Sequence, residues 1–167
     1  EVTSLESADI FYQLEASEVD ILLVVDNSCS MQPYQQKLAT SFDSFLTYFL
    51  EGDVDYQIGV TTTSLQGVEY LPAFSSCTEQ MIDAIPAPGA LVGGTIITPD
   101  TADADQTFSD IVNVGVCGSG SEMGLGSARL ALQHANTGAF NTGFLRDTAY
   151  LSLIFVSDEQ DASPLPV

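Results

Sequence analysis

Residues 19–25 (VDILLVV) constrain the fold more than any other stretch of the sequence. The run is almost wholly apolar and rich in β-branched side chains, which is typical of a strand covered on both faces in a parallel sheet. Similar runs occupy residues 56–62 (YQIGVTT) and 150–156 (YLSLIFV). We therefore expect mainly parallel strands at the centre of the molecule.

An amphipathic helix is predicted directly after the first strand. Its apolar residues recur at helical spacing: Leu38, Phe42, Phe45, Leu46 and Phe49. Pro33 lies near its start and Gly52 just past its end. A strand, a helix and a second strand of this kind form a βαβ unit, which connects parallel strands with a right-handed crossover.

The rest of the chain completes one domain. Residues 1–18 are interpreted as an N-terminal extension, and residues 63–101 as a loop-rich insertion with one short strand around 94–98. A helix is predicted over residues 103–113. Another helix follows the Gly/Ser turn at 118–121, and three of its residues are predicted to share an apolar face: Leu125, Ala128 and Leu132.

The charge of the chain limits its partners. It contains 23 Asp and Glu residues but only three Lys and Arg residues, which gives a formal net charge of −20. Such a surface repels phosphate groups, so we expect neither nucleic acid nor an anionic membrane surface as a partner. No apolar run reaches the roughly 18 residues of a membrane span, so direct insertion is not expected. Arg146 is predicted to pair locally with Asp147.

Acidic residues follow two of the predicted strands, at Asp26 and Asp158. Ligands of doubly wound sheets bind at the carboxyl ends of the strands, where these two carboxylates would meet. Ser28 and Ser30 follow Asp26 at alternate positions. Carboxylates, hydroxyls and water are typical ligands of Mg²⁺, Mn²⁺ and Ca²⁺. The same residue types also form turns and helix caps, so the pattern alone leaves a structural role open.

Residues 26–30 (DNSCS) fit the motif DxSxS, and the chain resembles von Willebrand factor A (vWA) domains. The similarity covers roughly residues 17–161 and rests on three segments, DILLVVDNSCSM, GSGSEMGL and IFVSDEQD, which look most like secreted bacterial members. It implies a doubly wound, three-layer α/β/α fold with a mainly parallel central sheet. The strand before Asp26 would lie centrally, beside the strand before Asp158.

The resemblance also implies a metal-ion-dependent adhesion site. Its first loop would supply Asp26, Ser28 and Ser30, as ligands or as partners of bridging water, and its last loop would supply Asp158. The ion would be Mg²⁺, Mn²⁺ or Ca²⁺.

The second loop of this site departs from the family pattern. The family supplies a threonine there, which GSGSE lacks. Counting back from the apolar face of the following helix favours Ser119 in its place, with Ser121, closer to the helix start, as the alternative. Glu122 would contact the ion directly or through water, or else stabilise the start of a helix. Asp161 would either support the ligands from a second layer or belong to the surface.

The resemblance therefore implies a module that binds a partner protein through a divalent cation, which accepts an oxygen, such as that of a carboxylate, from the partner. The alternative is a structural building block of an extracellular or surface assembly, in which the site is vestigial or only stabilising. An enzyme is not expected. His134 is the one histidine and lies near a predicted helix end, and no GxSxG motif follows a strand.

The three cysteines fit neither a zinc site nor a CxxC redox motif. We favour a disulfide between Cys77 and Cys117, with a Cys29–Cys117 bond or three free thiols as the alternatives. A disulfide indicates an oxidising compartment. Together with the acidic surface it favours an extracellular or cell-surface protein, with the periplasm as the alternative.

The end of the chain differs from the family pattern. The vWA sheet continues for two more strands after the later Asp, whereas this sequence stops at Val167. We therefore expect the C-terminal part of the fold to be missing from this chain. Later residues or another chain would then cover the exposed edge of the sheet.

Overall fold

The computed structural model of the protein describes residues 18–42, 44–45, 47, 54–65 and 77–164. Three strands form one sheet: β1 Glu18–Val25, β2 Asp55–Thr62 and β3 Tyr150–Val156. All pairs are parallel, in the order β2-β1-β3. The predicted parallel pairing and the central position of β1 are confirmed. Glu18 belongs to β1 rather than to the predicted extension, and residues 1–17 lie outside the described part.

The helices with defined bounds are α1 Gln32–Thr40, α2 Glu79–Asp83, α3 Ala104–Val112 and α4 Gly124–Thr137. Residues 42, 44, 45 and 47 are also helical. Short 3₁₀ turns occupy Cys29–Met31 and Val92–Gly94. None of the helices in this part of the chain is long and apolar enough to cross a membrane.

The sheet separates two apolar cores. Ile21 and Leu23 of β1 lie in a core with Phe108 of α3, while Leu22 lies in a second core with Ala128 of α4. Successive side chains of a strand point to opposite faces, so helices cover β1 on both sides. This explains why its sequence is apolar at almost every position rather than at alternate ones.

The first predicted helix is interrupted at Ser41, and helical conformation resumes at Phe42. α1 ends at Thr40, and the Ser41 N–H donates to Leu38 O at 3.1 Å. The hydroxyls of Thr40 and Ser41 both donate to Lys37 O, at 3.0 and 2.8 Å, and such bonds to the preceding turn favour a bend or an end. Leu46 and Phe49 of the predicted helix, and Gly52 just past its predicted end, lie outside the described residues.

Two other details of the prediction are wrong. Leu125 is 59% exposed, because the face of α4 that packs on the sheet is formed by smaller residues such as Ala128 and Ala131. No strand forms over residues 94–98. Ile97 makes a single antiparallel bridge with Ile58, and residues 92–94 are a 3₁₀ turn.

The outer edge of β3 pairs with no other described strand. Four large apolar side chains of this strand are exposed: Tyr150, Leu151, Leu153 and Phe155. The expectation that another segment or chain covers this edge stays a prediction.

Arg146 pairs with residues far away in the sequence, so the predicted local pair with Asp147 is wrong. Its Nε lies 2.8 Å from Asp20 Oδ1 and its Nη1 lies 3.0 Å from Asp55 Oδ2. The Arg146 N–H also donates to Asp20 Oδ2 at 2.7 Å. Asp20 is buried within β1, so a charged partner offsets the cost of taking its carboxylate out of water.

Replacing Arg146 by Met should lower the free energy of unfolding by about 3 kcal/mol, because it leaves the Asp20 carboxylate buried without a cation. Urea denaturation at neutral pH measures the change. Asp147→Ala is the matched control and should shift the free energy by no more than about 0.5 kcal/mol. Equal effects of the two substitutions would contradict the pairing.

The disulfide between Cys77 and Cys117 is confirmed, with their Cα atoms 5.8 Å apart. Cys29 is a free, exposed thiol, so the rival Cys29–Cys117 pairing is wrong. The bond joins the residue before Thr78, the N-cap of α2, to the start of the Gly/Ser turn. It therefore anchors the loop in which the second part of the site was predicted.

Candidate metal centre

Asp26 lies directly after β1 and is fully buried. Its N–H donates to Val156 O at 2.9 Å, which extends the β1–β3 pairing by one residue. Its Oδ1 accepts the N–H of Ser28 at 2.7 Å, and its Oδ2 accepts the hydroxyl of Ser157 at 2.8 Å. Both oxygens are thus oriented, one by the loop after β1 and the other by the loop after β3.

The other predicted residues of the first and last loops meet at the same edge. Ser28 Oγ lies 3.2 Å from Ser30 Oγ, and the Ser30 hydroxyl donates to Asp158 Oδ1 at 3.2 Å. Ser28 is buried, whereas Ser30 and Asp158 are exposed. The structure therefore brings Asp26, Ser28, Ser30 and Asp158 together in a row of oxygens that runs from the interior to the surface.

The second loop is attached to the first through Asn27. Gly118 donates its N–H to Asn27 O at 2.7 Å, and Ser64 donates its hydroxyl to Asn27 Oδ1 at 2.8 Å. A Cβ at position 118 would lie 2.1 Å from Asn27 Cγ, so only glycine allows this close approach.

Of the two second-loop candidates, Ser119 is buried and Ser121 is partly exposed. The Ser119 N–H donates to Ser64 Oγ at 3.0 Å, and its own Oγ accepts the Ser121 N–H at 3.0 Å. No hydrogen bond links either hydroxyl to Asp26 or Asp158 among the described residues. Ser119 is thus the more buried of the two serines. Which of them would contact a cation stays a prediction.

Glu122 follows these serines and is 4% exposed. Burial raises the pKa of its carboxyl, and the charges of Asp26, Glu159 and Asp158 raise it further, against the lowering effect of its own N–H. Glu122 therefore lies within electrostatic reach of both Asp26 and Asp158. The two roles predicted for Glu122, contact with the ion and stabilisation of a helix start, both stay predictions.

Asp161 holds the start of α4. Its Oδ1 accepts the Leu125 N–H at 2.9 Å, and its Oδ2 accepts the Ser163 N–H at 3.1 Å. Burial works to raise its pKa, but hydrogen bonds from Leu125, Ser163 and Gly124 outweigh burial, so the pKa is lowered overall. A carboxylate is also favourable at a helix N-terminus. These contacts give Asp161 a role in fixing the loop after β3 to α4.

Three residues of this site were missed from the sequence. Gln35 Nε2 donates to Asp26 O and to Gly115 O, both at 2.8 Å, and so joins α1 to both loops. Ser157 and Ser64 contact Asp26 and Asn27, as described above. The position of Ser64 and Ser157 just after β2 and β3 was a usable signal, because the strands of a parallel sheet end at one edge. Gln35 had no such signal.

None of these carboxylates forms a salt bridge within the part of the chain that the structure describes. Both salt bridges among the described residues belong to Arg146, which is beside β1 residue Asp20, at the opposite end of the strand from Asp26. Lys37 lies over the ring of Tyr34, with Nζ 5.7 Å from the ring centroid. Solvent or a bound cation must therefore compensate the negative potential around Asp26, Glu122 and Asp158.

The oxygen atoms at this edge fit a hard divalent cation. Carboxylates and hydroxyls suit Mg²⁺, Mn²⁺ and Ca²⁺, and a cation usually retains water alongside them. Within the described ranges, no three His, Cys, Asp or Glu side chains are grouped as a metal site made of such residues alone would require. A cation here would therefore depend on the serine hydroxyls and on water as well as on Asp26 and Asp158.

A comparison of the chain with models of protein families gives no match, and a comparison with characterised proteins gives none either. The fold that is shown is a mixed α/β fold with a three-stranded parallel sheet. The resemblance to vWA domains is therefore taken up as a proposal.

Glu122→Gln should stabilise the metal-free protein at about pH 7, because the raised pKa means that the folded state binds the Glu122 proton more tightly than the unfolded state does. The stabilisation from this proton is complete below the unfolded pKa of about 4.3 and is lost as the pH rises through the folded pKa. Urea denaturation in EDTA should therefore show a gain for Glu122→Gln near neutrality that disappears below about pH 4.

Glu79→Gln is the control for this experiment, since Glu79 is exposed in α2. A Glu122→Gln protein that is no more stable than the wild type near neutrality would show that its surroundings do not disfavour the Glu122 carboxylate.

Proposed function

We propose that the protein is a vWA-like domain that binds a divalent cation at its DxSxS loop and uses the cation to bind a partner protein. The observation that carries this proposal is the convergence of Asp26, Ser28, Ser30 and Asp158 at one edge of a parallel sheet without a cationic side chain among them. The two-sided packing of β1 supports the three-layer α/β/α arrangement of such domains.

The roles of the residues follow from their burial. Asp26 is fixed by Ser28 N–H and by the Ser157 hydroxyl, so it would hold the ion or its water from the interior. Ser30 and Asp158 are exposed and would hold it from the solvent side. A bound cation supplies an open coordination position for an oxygen of the partner, such as a carboxylate. Mg²⁺, Mn²⁺ and Ca²⁺ all suit these ligands.

A binding role is favoured over catalysis. His134, the one histidine, lies in the last turn of α4 with Nε2 3.2 Å from Pro88 O, and its ring packs edge-on against Phe140. These contacts indicate a structural role for His134, and none of them involves Asp26 or its neighbours. We therefore propose that the domain is not an enzyme.

A structural building block remains the second candidate, and the exposed apolar side chains of β3 favour it. A flat, uncharged edge strand readily pairs with another chain. In that case the metal site would be vestigial or would only stabilise the domain. The Cys77–Cys117 disulfide supports an extracellular or cell-surface location for either function.

Divalent cation should stabilise the wild-type protein and not the Asp158→Asn variant. Binding to the folded state alone adds about 2.7 kcal/mol at a hundredfold excess over the dissociation constant. Asp158 is exposed, so its replacement should remove the proposed ligand without disturbing the core. Thermal melts in EDTA and in Mg²⁺ or Mn²⁺ measure the difference.

Asp26→Asn should behave in the same way, because it removes charge but keeps an oxygen to accept the Ser28 N–H. Asp147→Asn controls for the loss of one exposed carboxylate elsewhere. If cation raises the melting temperature of Asp158→Asn and wild type equally, the site assignment is wrong, and the residues of DNSCS serve only as a strand end and a turn.

A further inference from the structure

A cleft of about 210 Å³ opens beside the candidate metal centre, between the start of α4 and the end of β3. Val24, Leu125 and Phe155 give it an apolar wall, while Glu122 and Glu159 give it a carboxylate wall. Asp26, Ser28, Ser30 and Asp158 do not line the cleft, whereas Glu122 and Ser157 do. The cleft therefore adjoins the candidate metal centre and shares these two residues with it.

The two carboxylates of the cleft lack a cation of their own. Neither Glu122 nor Glu159 takes part in a salt bridge among the described residues. Burial of a carboxylate without a cation is unfavourable, and Glu122 is almost fully buried. Asp161, which also borders the cleft, differs because N–H groups of α4 and of Ser163 already occupy its oxygens.

Thr63 provides an independent sign that a ligand is absent. This residue lines the cleft and is 2% exposed, yet its hydroxyl has no hydrogen-bond partner anywhere in the described part of the chain. Buried hydroxyls are almost always paired, so an unpaired one beside a cleft indicates a missing partner. Turning this hydroxyl towards a ligand would break no existing hydrogen bond.

We propose that this cleft binds the side chain of a lysine from a partner protein, with the aliphatic stem against Leu125 and Phe155 and the ammonium group between Glu122 and Glu159. A lysine ammonium has three donors and no acceptor, which matches two carboxylates and the Thr63 hydroxyl. Its methylene chain matches the apolar wall, which a hydrated metal ion would not use. A partner carboxylate, by contrast, would be repelled from this cleft.

The inference goes beyond the proposed function and does not require a bound metal. A partner that presents a carboxylate to the cation and a lysine to the cleft would contact the domain at two adjacent points. The partner's carboxylate would face the cation and its lysine would face the carboxylates of the cleft. The reversed orientation would place like charges opposite each other and weaken binding.

The test uses Nα-acetyl-lysine methylamide, which keeps its side-chain ammonium group, as the probe. Nα-acetyl-norleucine methylamide, which has an uncharged side chain, is the control. Amide resonances of Thr63, Gly124 and Leu125 report binding in an NMR titration in EDTA at about 0.1 M salt, where nonspecific attraction is screened. The lysine probe should shift these resonances with saturation. Glu122→Gln should weaken it about tenfold, since one carboxylate of a buried ion pair is removed, whereas Glu79→Gln should not.

Three results would overturn the proposal. Equal binding of the norleucine probe would show that the cleft does not recognise an ammonium group. An unchanged affinity in Glu122→Gln would remove the carboxylate contact. An Asp158→Asn variant that loses the probe as fully as Glu122→Gln would assign binding to the charge of the metal centre. EDTA removes divalent cations throughout the titration. The binding of the lysine probe can therefore be interpreted even if the proposed cation site proves wrong.

Discussion

The buried carboxylate of Asp26 is the constraint on which the rest of the site depends. It lies at the end of the most buried strand, where the parallel β1–β3 pairing directs it to the shared edge of the sheet. Two uncharged groups, the Ser28 N–H and the Ser157 hydroxyl, bind its oxygens. Hydrogen bonds of this kind offset only part of the cost of burying a charge, and the cation that we propose would offset more of it.

The loops around Asp26 are held independently of any ligand. Gln35 ties α1 to the Asp26 backbone, and Asn27 receives the N–H of Gly118 and the hydroxyl of Ser64. The Cys77–Cys117 disulfide fixes the second loop one residue before Gly118. A site whose loops are fixed in advance loses less entropy on binding, which raises its affinity for a given set of contacts.

Charge is divided between the two ends of β1. At one end, Asp20 is buried but paired with Arg146. At the other end, Asp26 and Glu122 are buried and form no salt bridge among the described residues. In the first arrangement a cation offsets the cost of burying the carboxylate. In the second, burial raises the pKa of Glu122 and disfavours its charged form. Groups whose pKa is perturbed in this way are typical of binding sites.

The sequence predicted the parts of this structure that depend on local pattern. Continuous apolar runs indicated buried parallel strands, and the rule that such strands end at one edge brought Asp26 and Asp158 together. Contacts between distant residues had no local signal, and the pairing of Arg146 with Asp20, 126 positions away, was therefore missed.

Competing local interactions explain the other errors. The hydroxyls of Thr40 and Ser41 favour an interruption at Ser41, where apolar periodicity alone suggested one continuous helix. Leu125 fits the periodicity of α4 but lies in its first turn, beyond the packed face formed by Ala128 and Ala131. The second-loop choice between Ser119 and Ser121 depends on backbone geometry that composition does not encode.

Anomalous difference density from crystals soaked in Mn²⁺ tests the central claim most directly. The account predicts one peak at the edge of the sheet, within coordination distance of Asp26 or Asp158, or one water away, with serine hydroxyls among its neighbours. The absence of a peak at that edge in crystals saturated with Mn²⁺, or a peak bound only by exposed carboxylates elsewhere, would contradict it.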